Sequence, residues 1–168
     1  YIGFKYILCW QRGLHKELKL LFPFAKRFIA GTDINDSSVV FQKHLDSEYA
    51  VIANLVGENA QSVETIHKTF KDYSDLLNKF NHHDFSISVK LSSLGLDVSY
   101  EDCQTNLVKL ASIAGENQQM IRLDMEDSSY TTRTIKLSKS INNTLPGSIG
   151  ITLQANLFRT KDDLNDLL

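Results

Sequence analysis

The residues best placed to do chemistry are polar groups that close apolar runs. Met120-Ile121-Arg122-Leu123-Asp124-Met125-Glu126-Asp127 begins as a strand-like stretch and closes on the carboxylates of Asp124, Glu126 and Asp127. A strand whose C-terminal end opens into a site gives a reason for so much negative charge. Other runs end in a comparable way, at Lys90, at Gln154, and at Asn54 with Glu58 just beyond. A lysine and a carboxylate converging on one mouth form an ion pair that can orient a polar substrate or cofactor. A purely structural salt bridge inside the fold is the competing reading.

The elements that must position these groups follow from periodicity. From Tyr1 to Lys26, Ile7, Trp10, Leu14, Leu18 and Leu21 fall at helical spacing and Pro23 closes the pattern. Residues 1–26 are therefore expected to be an N-terminal helical segment docked on a domain spanning 27–168. Contact of its mixed aromatic and basic face with a membrane surface is the less common alternative. Asp33 to Asp36 can cap a helix through Val39, Val40, Phe41 and Leu45.

Tyr49 to Val56 reads as a buried strand, followed by a helix stripe of Val63, Ile66, Phe70, Leu77 and Phe80. The unit then repeats. Phe85 to Leu91 is a second strand, Ser99-Tyr100-Glu101-Asp102 resembles a capping box, and Cys103, Leu107, Leu110 and Ala114 form the next stripe. Met120 to Asp124 is a third strand, Thr131 to Ile141 a helix, and Ser148 to Leu153 a fourth strand. Thr160-Lys161-Asp162-Asp163 is expected to cap a last helix, reaching Leu168.

Strands alternating with helices, with no hairpin signal between them, indicate a parallel α/β arrangement. Parity says which kind. Ser86, Ser88 and Lys90 share one face of their strand, opposite Ile87, Val89 and Leu91. Likewise Arg122 and Asp124 oppose Ile121, Leu123 and Met125, and Thr152 and Gln154 oppose Ile149, Ile151 and Leu153. A doubly wound sheet would be apolar on both faces. One apolar face and one polar face turned inward is what a (βα)8 TIM-type barrel with its site at the strands' C-terminal ends requires. Such barrels have typically eight strands in about 250 residues. The expectation is a partial barrel of four βα units, truncated at the C-terminus, in a chain that starts at Tyr1 as if from within something longer.

At 168 residues, 42% hydrophobic and 23% charged, the chain can bury a core, and disordered or fibrous classes are excluded. A net charge of -2 without a lysine/arginine run gives no electrostatic case for nucleic acid. Cys9 and Cys103 are too few for a disulfide framework or metal cage and read as reduced thiols of an intracellular protein. His82-His83 reads as a solvated turn with no third metal ligand at a helpful spacing, and no metal site is expected. Arg122, one inward step deeper than Asp124, reads as neutralising neighbouring carboxylates; Glu126 belongs to a loop, and Asp127 or Ser128 caps the next helix. Neither a glycine-rich phosphate loop nor a Gly-x-Ser-x-Gly elbow is present.

A set of ordered motifs is more specific than any of its parts. Arg27-Phe28-Ile29-Ala30-Gly31, Asn54-Leu55-Val56-Gly57-Glu58, Ser86 through Lys90-Leu91-Ser92-Ser93-Leu94-Gly95, Arg122-Leu123-Asp124-Met125-Glu126-Asp127-Ser128 and Leu153-Gln154-Ala155 together resemble the proline dehydrogenases. The resemblance implies an FAD-dependent (βα) barrel that takes a hydride from the carbon next to the proline nitrogen, gives 1-pyrroline-5-carboxylate and passes electrons to a membrane quinone. It implies that Lys90 and Asp124 line the substrate pocket as a charged pair, that Gln154 hydrogen-bonds the flavin ring, and that Glu58 gates the pocket by pairing with a substrate-binding arginine. A peripheral membrane contact goes with the quinone. The implied location is the cytoplasm or inner-membrane surface of a bacterium, or the mitochondrion of a eukaryote.

Family members commonly carry a tyrosine where Asn156 stands. The flavin-gripping lysine-glycine strand and the helix bearing paired arginines would lie beyond Leu168, so the chain alone is expected to have little or no activity. Two other classes stay open on the residues alone: a barrel lyase or aldolase using Lys90 as a Schiff-base nucleophile with Asp124 beside it, and a non-catalytic half-barrel that pairs its open strand edges with another chain.

Overall fold

The structure, a computed structural model, describes residues 5–10, 29–31 and 33–168, with backbone alone for 5–10. Its strands are β1 (Lys5–Trp10), β2 (Ile29–Gly31), β3 (Val51–Val56), β4 (Phe85–Val89), β5 (Ile121–Leu123) and β6 (Ile149–Ile151). They form one sheet in the order β2-β1-β3-β4-β5-β6, every pairing parallel. The helices are α1 (Ile34–Leu45), α2 (Val63–Lys79), α3 (Tyr100–Glu116), α4 (Ser128–Thr144) and α5 (Thr160–Leu167), with a 3-10 turn at Leu91–Leu94 between β4 and α3.

Two strands precede the four that periodicity marks. Lys5 to Trp10, expected in a helix, instead pairs with Val51 to Val56 over six positions in unbroken register. A short apolar run rich in aromatic and branched residues satisfies either periodicity, and tertiary pairing decides between them. The sheet therefore begins before residue 27, and the expected helical reading of 11–26 lies outside the described residues.

The helices start where side chains can satisfy their free N–H groups. Asp33 accepts from Asp36 N at 3.0 Å, Ser62 from Thr65 N at 3.2 Å, Ser99 from Asp102 N at 3.1 Å and Asp127 from Ser129 N at 2.9 Å. The expected cap of α5 is different. Thr160 turns its hydroxyl to the carbonyl of Gln154, and Arg159, at the N-cap position, pairs with Asp163 at 2.7 Å instead of capping. The 3-10 turn closes on Gly95 at φ 91°, where a Cβ would also lie 2.6 Å from Ile66 Cδ1. Only glycine meets both demands.

From β2 onward each crossover advances the same way across the sheet, and right-handed crossovers then place α1 to α4 on one face. The strands bear this out. Val51 and Ala53, Phe85, Ile87 and Val89, Ile121 and Leu123 are all 0% exposed beneath the helices. Burying each large side chain of this kind contributes about 1.5–3 kcal/mol. Phe41, Phe80 and Phe85 close the core at the strands' N-terminal ends, Phe80 and Phe85 stacked at 4.7 Å. The opposite face carries the register line Asn54, Ser88, Arg122 and Gly150. Its polar character is the one alternation requires.

Candidate active site

The ladder between β3 and β4 ends at Asn54 and Ser88. Just beyond, the hydroxyl of Tyr73 from α2 donates to Ser88 O at 2.9 Å and accepts from Leu55 N at 3.3 Å. A buried phenol thus stands where a strand-to-strand hydrogen bond would continue. The two strands part at their C-terminal ends, and the candidate residues stand around that mouth.

Lys90 follows β4 and Asp124 follows β5. Val89 is the register partner of Leu123, and Asp124 N donates to Val89 O at 2.9 Å, so the two residues are neighbours across the strands and share the polar face by parity. The ion pair is nevertheless a different one. Lys90 Nζ lies 2.6 Å from Glu58 Oε2, with the two side chains 30% and 56% exposed. Among the described residues the Asp124 carboxylate has no ion pair. The expected Lys90–Asp124 pair is therefore replaced by Lys90–Glu58, because parity sets a face but leaves the loop after β3 free to bring Glu58 closer.

Arg122 also departs from expectation. No carboxylate among the described residues pairs with it, and its Nε is buried without a hydrogen-bond partner. Its NH1 lies near the backbone of Gly150, 3.9 Å from where a Cβ there would be, an ordinary van der Waals distance. A buried donor of a charged group without an acceptor is costly in a finished fold and fits a site that receives acceptors from a ligand. Gln154 follows β6 half-buried, its carbonyl accepting from Leu157 N at 3.2 Å and from the Thr160 hydroxyl. Asn156 beyond it is exposed.

Several residues around the mouth have no role of their own in the sequence reading. Ser92 N donates to Glu126 Oε1 at 3.0 Å, and Asn59 N donates to Ser92 Oγ at 3.0 Å. Tyr130 OH donates to Asp97 Oδ2 at 2.5 Å, and Asp97 Oδ1 accepts from Arg133 NH2 at 3.0 Å. That bond to Asp97 pushes the Tyr130 hydroxyl up to about 12. Arg133 also lies 4.8 Å from the centre of the Tyr130 ring. A cleft of about 430 Å³ opens beside this cluster, between Asn59, Gln61, Asp97 and Tyr130.

The opposite end of β4 is a turn. His82, His83 and Asp84 bring ligand-type atoms within 4.8 Å of one another, so a third group does stand near the histidines. His82 Nδ1 already accepts from Asp84 N at 3.1 Å, and the imidazoles stack at 4.6 Å in solvent. Those contacts shape the turn that starts β4. Cys103 is wholly buried under the 3-10 turn, and burial pushes its thiol up to about 12, which removes it from nucleophilic chemistry near neutrality. No helix among the described residues is long and apolar enough to cross a membrane.

Comparison with known proteins agrees with this geometry. The profile of the family described as proline dehydrogenase matches residues 40–168. Proline dehydrogenase 1 of Bacillus subtilis strain 168 is 28% identical over 146 residues, and proline dehydrogenase 2 of the same strain 26% over 148. Both alignments take in 85% of this chain and 48% of the relative, so the chain spans about half the length of the curated relatives it matches. Among solved structures, proline utilization A from Bdellovibrio bacteriovorus, inactivated by N-propargylglycine, superposes with a TM-score of 0.77 at 19% identity, over 89% of this chain and 19% of that one. Proline utilization A from Bradyrhizobium japonicum gives 0.62 at 20% identity, over 68% of this chain and 14% of that one. The likeness to these structures shows the fold, an α/β parallel sheet forming part of a (βα)8 barrel.

Proposed function

This chain belongs to the proline dehydrogenase family, and from that premise we propose that it forms one wall of a site that oxidises L-proline to 1-pyrroline-5-carboxylate with FAD as acceptor. The observation that supports this most is the mouth itself. A paired ammonium, Lys90, and a carboxylate with no ion pair among the described residues, Asp124, stand on adjacent strand ends of the polar face. A zwitterionic amino acid needs both signs of charge at such spacing.

The residues present fit a flavin. Arg122, with its buried and partnerless Nε, and Gln154, with donor and acceptor in one amide, would hold a group rich in carbonyl and phosphate oxygens. The chemistry FAD supplies when bound is acceptance of a hydride from the carbon beside the proline nitrogen. The chain's own contribution is positional and electrostatic: Lys90 and Asp124 fix the substrate's charges, and Glu58 holds Lys90 in place. Passage of electrons to a quinone, with a peripheral contact at the membrane that contains it, completes the proposal and puts the protein at a bacterial inner-membrane or mitochondrial surface.

Proline-dependent reduction of a quinone-like dye, measured on this segment joined to the C-terminal half of a family member, tests the assignment. With FAD loaded, Lys90→Ala and Asp124→Ala are each expected to lower kcat/KM by about 30-fold or more, the equivalent of about 2 kcal/mol of lost charge positioning. Unaltered kcat/KM in both variants would sink it. The Glu58 pairing disfavours Lys90 as a Schiff-base nucleophile, since an ammonium held by a carboxylate has no free electron pair. Borohydride trapping of a carbonyl substrate on Lys90 would reverse that judgement.

A further inference from the structure

We propose that Ser92 is the positioning residue that sets Glu58 against Lys90, and that Glu126 acts through it. Ser92 is 1% exposed and stands two residues after Lys90, within the 3-10 turn. All of its polar backbone and side-chain atoms are engaged. Its N–H donates to Glu126 Oε1 at 3.0 Å, its Oγ accepts from Asn59 N at 3.0 Å, and its carbonyl accepts from Ala60 N at 3.2 Å. The loops after β3, β4 and β5 therefore meet at this one residue.

The consequence for Glu58 follows from the backbone. Asn59, the next residue, sits at φ 55°, in the left-handed region that asparagine adopts more readily than other residues with a Cβ. Ser92 grips the N–H of Asn59 and the N–H of Ala60, on the two sides of that kink. The direction in which the chain leaves β3, and with it the place of the Glu58 carboxylate, is fixed by those two bonds. An exposed ion pair is too weak to order a loop and a long lysine by itself. The order comes instead from a buried hub, and the pair forms where the hub leaves it. Ser92 also lies in the same short turn as Lys90, so a shift of the hub moves both partners.

This inference rests on the reading of Lys90 and Glu58 as part of the proline site, yet its test requires neither FAD nor proline. Acetylation of Lys90 by limiting acetic anhydride, followed peptide by peptide with mass spectrometry and referred to Lys43 and Lys109, reports whether the ammonium is held by its carboxylate. Glu58→Gln sets the unpaired rate and is expected to raise it several-fold. Ser92→Ala and Glu126→Ala are expected to approach that rate while circular dichroism stays native. Glu126→Gln, which keeps a carbonyl oxygen for the Ser92 N–H, is expected to restore the unmodified rate.

A Lys90 rate unchanged in both Ser92→Ala and Glu126→Ala, with only a lowered thermal midpoint, would reduce the hub to a structural role and overturn the proposal. So would a rate unchanged in Glu58→Gln, or a Glu126→Gln variant as reactive as Glu126→Ala. If Ser92→Ala does not fold, the Glu126 pair of variants decides the matter. Failure of the flavin reading would appear in the dye assay and leave these rates untouched, so the two can fail separately.

Discussion

Beneath the helices, Ile87, Ile121 and Leu123 are fully buried and differ little in chemistry. On the other face, across the same strands, stand Ser88, Arg122 and Asp124, each with a different polar group and one of them with a buried donor left over. The first face is held by filled volume, so its residues are defined by size. The second is defined by what it leaves unsatisfied. A single sheet can carry both because successive side chains point to opposite sides, and because the energy of the fold is concentrated on one of them.

That division can be broken most severely on the apolar side. Ile87→Ala is expected to cost about 2–5 kcal/mol in urea unfolding, the transfer of the lost methyl groups plus the cavity they leave. A cost below that range would mean that the core collapses around the gap. Tyr73→Phe is the next largest effect. It removes the hydroxyl that bridges Ser88 O and Leu55 N, and a loss of about 1–3 kcal/mol is expected from leaving buried backbone groups unsatisfied. Chemical shifts at Leu55 and Ser88 should move with it; if they stay in place, the hydroxyl is not what parts the strands.

On the polar side the expected sign differs. Arg122→Met discards a guanidinium whose Nε has no partner, so stability should hold within about 1 kcal/mol or rise, while FAD, followed by quenching of its fluorescence, should bind more weakly. A large loss of stability would show that Arg122 belongs to the fold rather than to the site.

The smallest effects concern the rim, and they depend on pH. The hydroxyl and N–H of Ser129 hold the Asp127 carboxyl below its usual range. A depressed folded-state value means that its contribution is present above about pH 4 and disappears as pH falls. Asp127→Asn should therefore flatten the acid limb of a stability profile. Tyr130 is the reverse case. Raised to about 12 by its bond to Asp97, it contributes below about pH 10 and loses that contribution as pH climbs toward its folded value. Tyr130→Phe should flatten the alkaline limb, and a limb of unaltered slope would assign the titration to another group.

The amino-acid sequence by itself determined the periodic features. The alternation Ser86, Ile87, Ser88, Val89 separates the two faces, the caps at Asp33, Ser99 and Asp127 start three helices where expected, and the regular exchange of strand and helix makes the sheet parallel. These depend on residues within one or two turns of each other, so they can be read without knowing the fold. The tertiary structure alone decided that Lys5 to Trp10 is a strand, that Lys90 pairs with Glu58 rather than Asp124, that Arg122 has no carboxylate partner among the described residues, and that Ser92 joins three loops. Glu58 lies 32 residues from Lys90 and Glu126 lies 34 from Ser92. No local period encodes such separations. They are set by how far each loop travels once the strands are laid side by side, and at the mouth of this sheet those distances choose the partners.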